Sequence, residues 1–564
     1  MSRTLLPAPA LALLLAACLT SAAPPLDACD RLGPRVQCGS IAVSQRTCEE
    51  QDCCWTVQPL DTEPWQPDVF LPSCFYPNTG ASEYALQEPS VGLAEGDMGN
   101  ATLTNMTSTQ PELGGDFQTA ALSVEEFTPG KAHHVLRIRI IPLNASAPPR
   151  WEVPPEFFAP DSLLAGGDGG GTQPVTAPRQ FEVDVEDAPF GFTVLRVDRQ
   201  SGAPLATTFN SSGLRLILKA SAGTTCWPLG ADQYLELSTH VDAASYIYGG
   251  GERSSETTYM TRNGYPYAGW ARDQNPQVPM RNTYSSWPFA LVLEQDGTAW
   301  GALLLNSNGM EMAATPDKLT WRAIGGAIDL FVFLGPTPLD VIDQLTAVVG
   351  RPVMQPFWAF GFHQYGYKTV WENFVSRLHA NDQHWVPILD PGIKIDEGFD
   401  PYLDGLQQNA YILDERGDPY IGWVWPGGCH FPDFGFNPAV DAYWLAQLDI
   451  YNGYAQWDGL WIDMNEIANF CTGNVCHMPT AEAVANQRGF PPFQCQLLCY
   501  DSLTAGLSNA DLALTSSVLA RHAGDVLEYD AHNLYGLAEA RVTAAAIRLI
   551  KGTRPFILTR ATRL

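Results

Sequence analysis

The 564-residue sequence predicts a multi-domain chain: a small disulfide-rich head, an antiparallel β-sandwich, then a barrel of alternating strands and helices. Three observations carry this. Cysteines crowd together near the N-terminus; short runs with a two-residue hydrophobic period fill the middle; beyond residue 350, apolar strands separated by helical stretches end in carboxylate or arginine side chains. A chain of this length exceeds what one hydrophobic core supports.

The first 23 residues read as a secretory signal peptide. Arg3 supplies an early positive charge, an apolar run follows through Leu5, Leu11, Leu13, Leu14, Leu15 and Leu19, and Ser21-Ala22-Ala23 gives small residues for cleavage. No later stretch approaches the roughly 20 apolar residues that span a bilayer, so no transmembrane span is expected after signal removal. Acceptor triplets at Asn100, Asn105, Asn144 and Asn210 fit a glycosylated chain of the secretory pathway, lysosomal (or vacuolar) or extracellular. A net charge of −29 argues against nucleic acid and anionic membrane as partners. The 16 tryptophans suit a protein that stacks sugar rings, although large β-rich cores use them too.

In the head, Cys29, Cys38, Cys48, Cys53, Cys54 and Cys74 form a dense cluster that reads as a disulfide framework in an oxidising compartment. Six cysteines allow 15 pairings, and spacing alone does not choose among them. A zinc site fits poorly, because the adjacent Cys53-Cys54 pair has the wrong spacing for a tetrahedral ligand set. Arg35-Val36-Gln37-Cys38-Gly39, Cys53-Cys54-Trp55 and Cys74-Phe75-Tyr76-Pro77 resemble a trefoil (P-type) domain, here over 27–79. That resemblance implies the bridges Cys29–Cys54, Cys38–Cys53 and Cys48–Cys74.

From 81 to 350 the alternating runs are strands. His134 to Ile141, Phe181 to Val185 and Leu214 to Leu218 show the period-2 pattern, with Pro, Gly, Asn and Ser between them. Helical periodicity begins only near residue 338. The glycine run Gly166 to Thr172 lacks a following Lys-Ser/Thr and reads as a surface loop, not a phosphate loop. No cofactor or metal is implied anywhere.

From 351 to 564 the order is strand, then helix, repeatedly. Phe357 to His363 reads as a first strand. Trp385 to Leu389 is an apolar strand ending at Asp390, and the short apolar strand that opens at Trp461-Ile462 delivers Asp463, with Glu466 three residues on. A helical stretch over Leu534 to Ile550 precedes the segment Arg554 to Thr559, which ends at Arg560. Charged residues at strand C-termini are the arrangement of a (β/α)₈ barrel with its site on that face. A carboxylate placed there among aromatics suits attack on an anomeric carbon; on shape alone an acidic strand end capping a loop is the commoner reading.

Trp461-Ile462-Asp463-Met464-Asn465-Glu466, with Asn469-Phe470 following, closely resembles the nucleophile signature of glycoside hydrolase family 31, the α-glucosidase family. Trefoil heads precede the catalytic region in animal members, and the middle region is then the family's galactose mutarotase-like sandwich. The resemblance implies a retaining glycosidase in which Asp463 is the nucleophile and Glu466 a second catalytic carboxylate. It makes Asp390 and Arg560 ligands of sugar hydroxyls, with Ile388, Trp425, Trp461, Met464 and Phe470 lining the site; for Phe470, barrel core is an equal reading. Asp273, in Ala271-Arg272-Asp273-Gln274 followed by Asn282-Thr283-Tyr284, resembles a family loop leaning over the barrel mouth. Tyr248-Gly249-Gly250-Gly251-Glu252 resembles a family turn near the end of the sandwich. Cys471 and Cys476 are expected to close a loop disulfide.

Two departures from the family pattern are expected to matter. The sequence holds no His-Trp-x-Gly-Asp, the family's acid/base segment, and no Trp-x-Asp-Ile-Asp-Tyr-like strand between Tyr367 and Trp385. Together they predict an incomplete (β/α)₈ TIM barrel, truncated and internally deleted, and an inactive or impaired chain. The expected function is removal of terminal α-linked glucose from malto-oligosaccharides or glycogen-like glucans through a glycosyl-Asp463 intermediate. The alternatives are a non-catalytic carbohydrate- or mucin-binding secreted protein and another family 31 activity such as α-xylosidase. Oligomeric state is not legible.

Overall fold

The computed structural model describes residues 44–50, 53–55, 74–75, 84–91, 99–106, 117–127, 135–143, 150–158, 181–197, 204–211, 217–218, 235–274, 280–364, 373–470, 516 and 518–561. In the head, a short helix Gln45–Glu49 is capped by the Ser44 side chain, and Cys54–Trp55 pairs antiparallel with Cys74–Phe75. Cys48, Cys53 and Cys54 are each disulfide-bonded. Cys29, Cys38, Cys471, Cys476 and Asn144 lie outside the described residues. Asn100 is exposed on its strand, whereas Asn105 and Asn210 are half-buried at strand ends.

The middle of the chain is antiparallel β-structure, as its period-2 pattern requires. An eight-stranded sheet runs from Tyr84–Val91 at one edge through Gly99–Asn105, Thr119–Phe127, Val135–Leu143, Ile328–Phe333, Ala299–Leu304 and Phe289–Leu293 to Tyr246–Gly249. A five-stranded sheet orders Ile217–Leu218, Leu235–His240, Lys318–Ala323, Met310–Thr315 and Pro266–Gly269. A third sheet joins Phe181–Asp187, Phe190–Val197 and Pro204–Asn210. Phe192, Phe209, Trp300 and Trp321 meet in the shared core, with the Phe192 and Phe209 rings stacked 5.4 Å apart.

Ala299–Leu304 and Ile328–Phe333 are buried on both faces, and their alternation sorts side chains between two cores. Trp300, Ala302, Leu304, Leu330 and Val332 face the sandwich core, while Ala299, Leu303, Phe331 and Phe333 face a second one. The helix Pro338–Val349 lies on that second face. Thr337 and Asp340 form a capping box at its start, and Val341, Leu345 and Val348 are buried. The same core takes in Phe431, Trp444, Leu460 and Tyr535 from the C-terminal region, so sandwich and barrel segments are fused by apolar burial.

In that region a three-stranded parallel sheet orders Ile388–Leu389, Leu460–Ile462 and Ile557–Thr559. The helices Pro438–Ala455 and Tyr535–Lys551 pack against each other beside it. Gly536 makes the second approach feasible: a Cβ there would lie 2.3 Å from the Ala561 carbonyl oxygen and 2.9 Å from that of Asn465. The helix stops at Gly552, whose φ of 65° closes the last turn. A hairpin of Gly422–Val424 and Gly427–His430 carries Trp425 at its turn and buries the free thiol of Cys429.

One expected strand is absent. Phe357 to His363 pairs with no strand; Phe357–Phe360 is a 3₁₀ turn, and Phe357 and Phe362 are each 90% exposed. An aromatic run has the composition of a buried strand, but a strand exists only where a neighbour completes its hydrogen bonds. The helix expected after residue 373 is present as Phe374–His379.

Candidate active site

The parallel register builds the site. Ile388 pairs with Trp461 and Trp461 with Leu558; Leu389 pairs with Ile462 and Ile462 with Thr559. The next residue on each strand is therefore Asp390, Asp463 and Arg560, side by side at the C-terminal edge. The Asp463 amide donates to the Leu389 carbonyl at 2.8 Å, and the Arg560 amide to that of Ile462 at 3.2 Å, so the ladder continues through the charged residues themselves.

Arg560 is the hub. Its Nε and Nη2 donate to the two oxygens of Glu466 at 2.7 and 2.9 Å. Nε also lies 3.1 Å from Asp463 Oδ1, and Nη1 lies 3.7 Å from Asp273 Oδ1. Burial works against the guanidinium charge, but hydrogen bonding to Glu466 and the charges of Glu466, Asp273 and Asp463 outweigh it and raise the Arg560 pKa. The ring of Tyr284 sits under the guanidinium, 5.0 Å away.

Four carboxylates thus surround one cation. The excess negative charge shows in Asp390, whose carboxyl is pushed up to about 6, chiefly by burial and then by the neighbouring charge of Asp463. Glu466 is also shifted upward by burial, against the pull of Arg560. Beneath them, Glu539 is fully buried on the C-terminal helix; desolvation drives its carboxyl far above the usual range, and the charges of Asp390, Glu466 and Asp463 add to this. Asp463 Oδ1 makes no hydrogen bond despite its ion-pair distance to Arg560, because that N–H is aimed at Glu466. That oxygen is itself buried.

Of the residues expected at the site, Asp273, Asp390, Asp463, Glu466 and Arg560 are brought together. Glu466, expected as catalytic, has no exposed side-chain surface and both oxygens engaged by Arg560. Met464, expected to touch substrate, is a correction: it adopts φ 58° and is packed in the core. The turn that presents Asp463 points the next side chain inward. Trp425 is exposed and meets Phe470 edge-on at 5.0 Å. Phe470 is half-buried and packs against the core. Ile388 is exposed and Trp461 half-buried.

Several contributors escaped the sequence. Asn465 ties strand ends together, donating to Thr559 Oγ1 at 3.0 Å and accepting from the Ala561 amide at 2.9 Å. Asn469 accepts from the Trp423 amide at 2.8 Å and donates to the Tyr420 hydroxyl at 3.0 Å, fixing the hairpin that carries Trp425. Deeper still, His522 lies between Asp433 at 2.6 Å and Glu528 at 2.8 Å, and Glu528 also meets His532 at 2.7 Å. Tyr284 stands in a stretch that resembles a family loop, and Asn465 and Asn469 stand within the nucleophile signature without a role of their own being read there; His522, Glu528 and His532 left no signal. Among the described residues no group of His, Cys, Asp and Glu could hold a metal ion, and no helix is long and apolar enough to cross a membrane.

Known proteins share these features. The glycosyl hydrolases family 31 TIM-barrel domain matches residues 367–564, and the family 31 N-terminal galactose mutarotase-like domain matches 123–312. A trefoil (P-type) domain matches 29–77. The chain is 33% identical to a probable α-glucosidase of Oryza sativa subsp. japonica, over 80% of this chain and 52% of that protein. It is 30% identical to the lysosomal α-glucosidase of Rattus norvegicus, over 92% of this chain and 53% of that protein. Alpha-xylosidase 1 of Arabidopsis thaliana is 29% identical over 80% of this chain and 53% of its own length. The chain therefore spans about half the length of these curated relatives. The glucosidase II alpha subunit in its Glc1Man2-bound form shares the fold with a TM-score of 0.64 at 18% identity, covering 86% of this chain and 58% of that one.

Proposed function

Because the chain belongs to glycoside hydrolase family 31, we propose that it carries the sugar-gripping and nucleophile part of a retaining α-glucosidase site acting on terminal α-linked glucose. One observation carries this reading: Asp390, Asp463 and Arg560 stand in register on three adjacent strand ends, with an Asp463 oxygen left without a hydrogen bond. Asp390, Arg560 and Asp273 take sugar hydroxyls, and Ile388, Trp425, Trp461 and Phe470 border the ring. Asp463 attacks the anomeric carbon; a glycosyl ester forms as the bond to the leaving oxygen breaks and its electron pair goes to that oxygen, which takes a proton from solvent water. Water then cleaves the ester with net retention. The surrounding negative charge favours the positive character that develops on the sugar. A secretory-pathway or lysosomal setting follows from the leader, the trefoil head and the lysosomal relatives.

The test uses 5-fluoro-α-D-glucosyl fluoride, whose leaving group needs no proton, so that the outcome depends on the nucleophile alone. Intact mass spectrometry should show one glucosyl adduct, and peptide mapping should place it on Asp463. Asp463→Asn should abolish it. An adduct on another residue, or none on the folded chain, overturns the reading.

A further inference from the structure

Asp273 belongs to the sandwich, whereas Arg560, which it faces, belongs to the parallel sheet. Something must fix one against the other. Asp273 lies four residues beyond the end of the Pro266–Gly269 strand, and the intervening Ala271 has both of its backbone polar groups held from across the molecule. Its amide donates to Asn533 Oδ1 at 2.9 Å, and His532 Nε2 donates to its carbonyl at 2.6 Å. The His532 ring stacks on the indole of Trp270 at 3.9 Å with planes 7° apart. Asn533 Nδ2 donates to the carbonyls of Gly269 and Asn308, and the Arg272 amide donates to Thr283 at 3.1 Å. All four residues of the grip, Trp270, Ala271, His532 and Asn533, are buried.

We propose that His532 and Asn533 are positioning residues which, by gripping both polar backbone groups of Ala271, set Asp273 against Arg560 and complete the sugar-binding edge of the site. The histidine is itself oriented. Its Nδ1 meets Glu528 Oε1 at 2.7 Å, and Glu528 is held in turn by Ser516 and His522. Both ring nitrogens of His532 are therefore held, one by Glu528 and one by the Ala271 carbonyl. A backbone grip of this kind fixes a loop more firmly than side-chain packing, because breaking it strands buried donors and acceptors. The functional half of the proposal rests on the glycosidase reading; the structural half does not.

The experiment uses the full chain and two readouts. Amide hydrogen exchange is measured over 270–274 in the wild type, Asn533→Ala, His532→Gln and Asn533→Asp, the last keeping an acceptor for the Ala271 amide. Exchange over 270–274 should rise at least about tenfold in Asn533→Ala, rise in His532→Gln, and return toward wild type in Asn533→Asp, with the Asp463 and Arg560 amides unchanged. In labelling by 5-fluoro-α-D-glucosyl fluoride, Asn533→Ala should raise the half-saturating concentration about tenfold while leaving the maximal rate near that of wild type. In an Asp273→Asn background it should add nothing further. Unchanged exchange over 270–274, or an equal loss of affinity in both backgrounds, overturns the proposal. A wild-type chain that takes no label sinks the glycosidase reading, while exchange still decides the grip. If Asn533→Ala does not fold, His532→Gln against Asn533→Asp carries the same comparison.

Discussion

The sandwich and the parallel sheet each bury one arginine between two carboxylates, and they do it to opposite ends. In the sandwich, Arg322 pairs across adjacent strands with Glu236 and Glu311, donating to them at 2.9 and 2.7 Å. All three are buried. In the parallel sheet, Arg560 lies between Glu466 and Asp463, with Asp273 and Asp390 close by, and Asp463 keeps 15% of its side-chain surface exposed. The first cluster lies within its strands, one residue in from their ends, and is closed off from solvent. The second sits where strands end, has more carboxylates than its cation can satisfy, and leaves an oxygen unbonded. A buried ion pair is thus no sign of function by itself; a surplus of one charge at an open strand edge is.

That contrast can be broken by exchanging each arginine for methionine. Arg322→Met takes the guanidinium away from two buried glutamates, and should cost about 3–5 kcal/mol in urea unfolding with labelling of the folded fraction unchanged. Arg560→Met should cost less stability, because one fully buried carboxylate, Glu466, loses its cation instead of two while Asp463 and Asp273 reach solvent, but should slow labelling of Asp463 by about 10²–10³-fold. Equal stability losses, or equal labelling losses, would erase the distinction between the two clusters.

The buried histidines add a pH dependence. Flanked by Asp433 and Glu528, His522 is raised from 6.5 to about 9 although burial opposes its charge, and Glu528 is lowered from 4.5 to about 2 against its own desolvation. The histidine's contribution to stability is complete below pH 6.5 and lost as pH rises through 9. That of Glu528 is complete above 4.5 and lost as pH falls through 2. The joint contribution of these two groups is therefore constant between pH 4.5 and 6.5, and His522→Gln should weaken the loss of stability on both flanks of that window. Asp390 has the opposite sign. Its folded pKa near 6 exceeds the ordinary 3.8, so the native state holds the extra proton and stability falls as pH rises from 3.8 through 6. Asp390→Asn should raise the melting temperature relative to wild type above pH 6 while weakening labelling. The smallest effect is expected at Trp425, which is 74% exposed. Trp425→Ala should change stability by no more than about 0.5 kcal/mol, while the half-saturating concentration of the label rises several-fold.

The sequence made some of this legible for a physical reason. Asp390, Asp463 and Arg560 each follow an apolar strand directly, so local pattern places them on one edge without knowledge of long-range contacts. The sandwich strands were legible through their period. What escaped depends on pairs distant in sequence: Asp433 with His522, and Ala271 with Asn533, have no local signature. Met464 was misplaced because a motif gives neighbours in sequence while the turn decides which way a side chain points. Phe357 to His363 was misplaced because composition cannot supply a partner strand.

The buried thiol of Cys429 carries a last consequence. Burial pushes it up to about 12, and its hairpin packs close to Gly392, where a Cβ would come within 3.1 Å of the sulfur. Such a thiol is chemically silent until the hairpin lifts away, so alkylation followed by mapping to Cys429 would time the opening of the segment that holds Trp425. The chain thereby contains its own clock for local breathing beside the site.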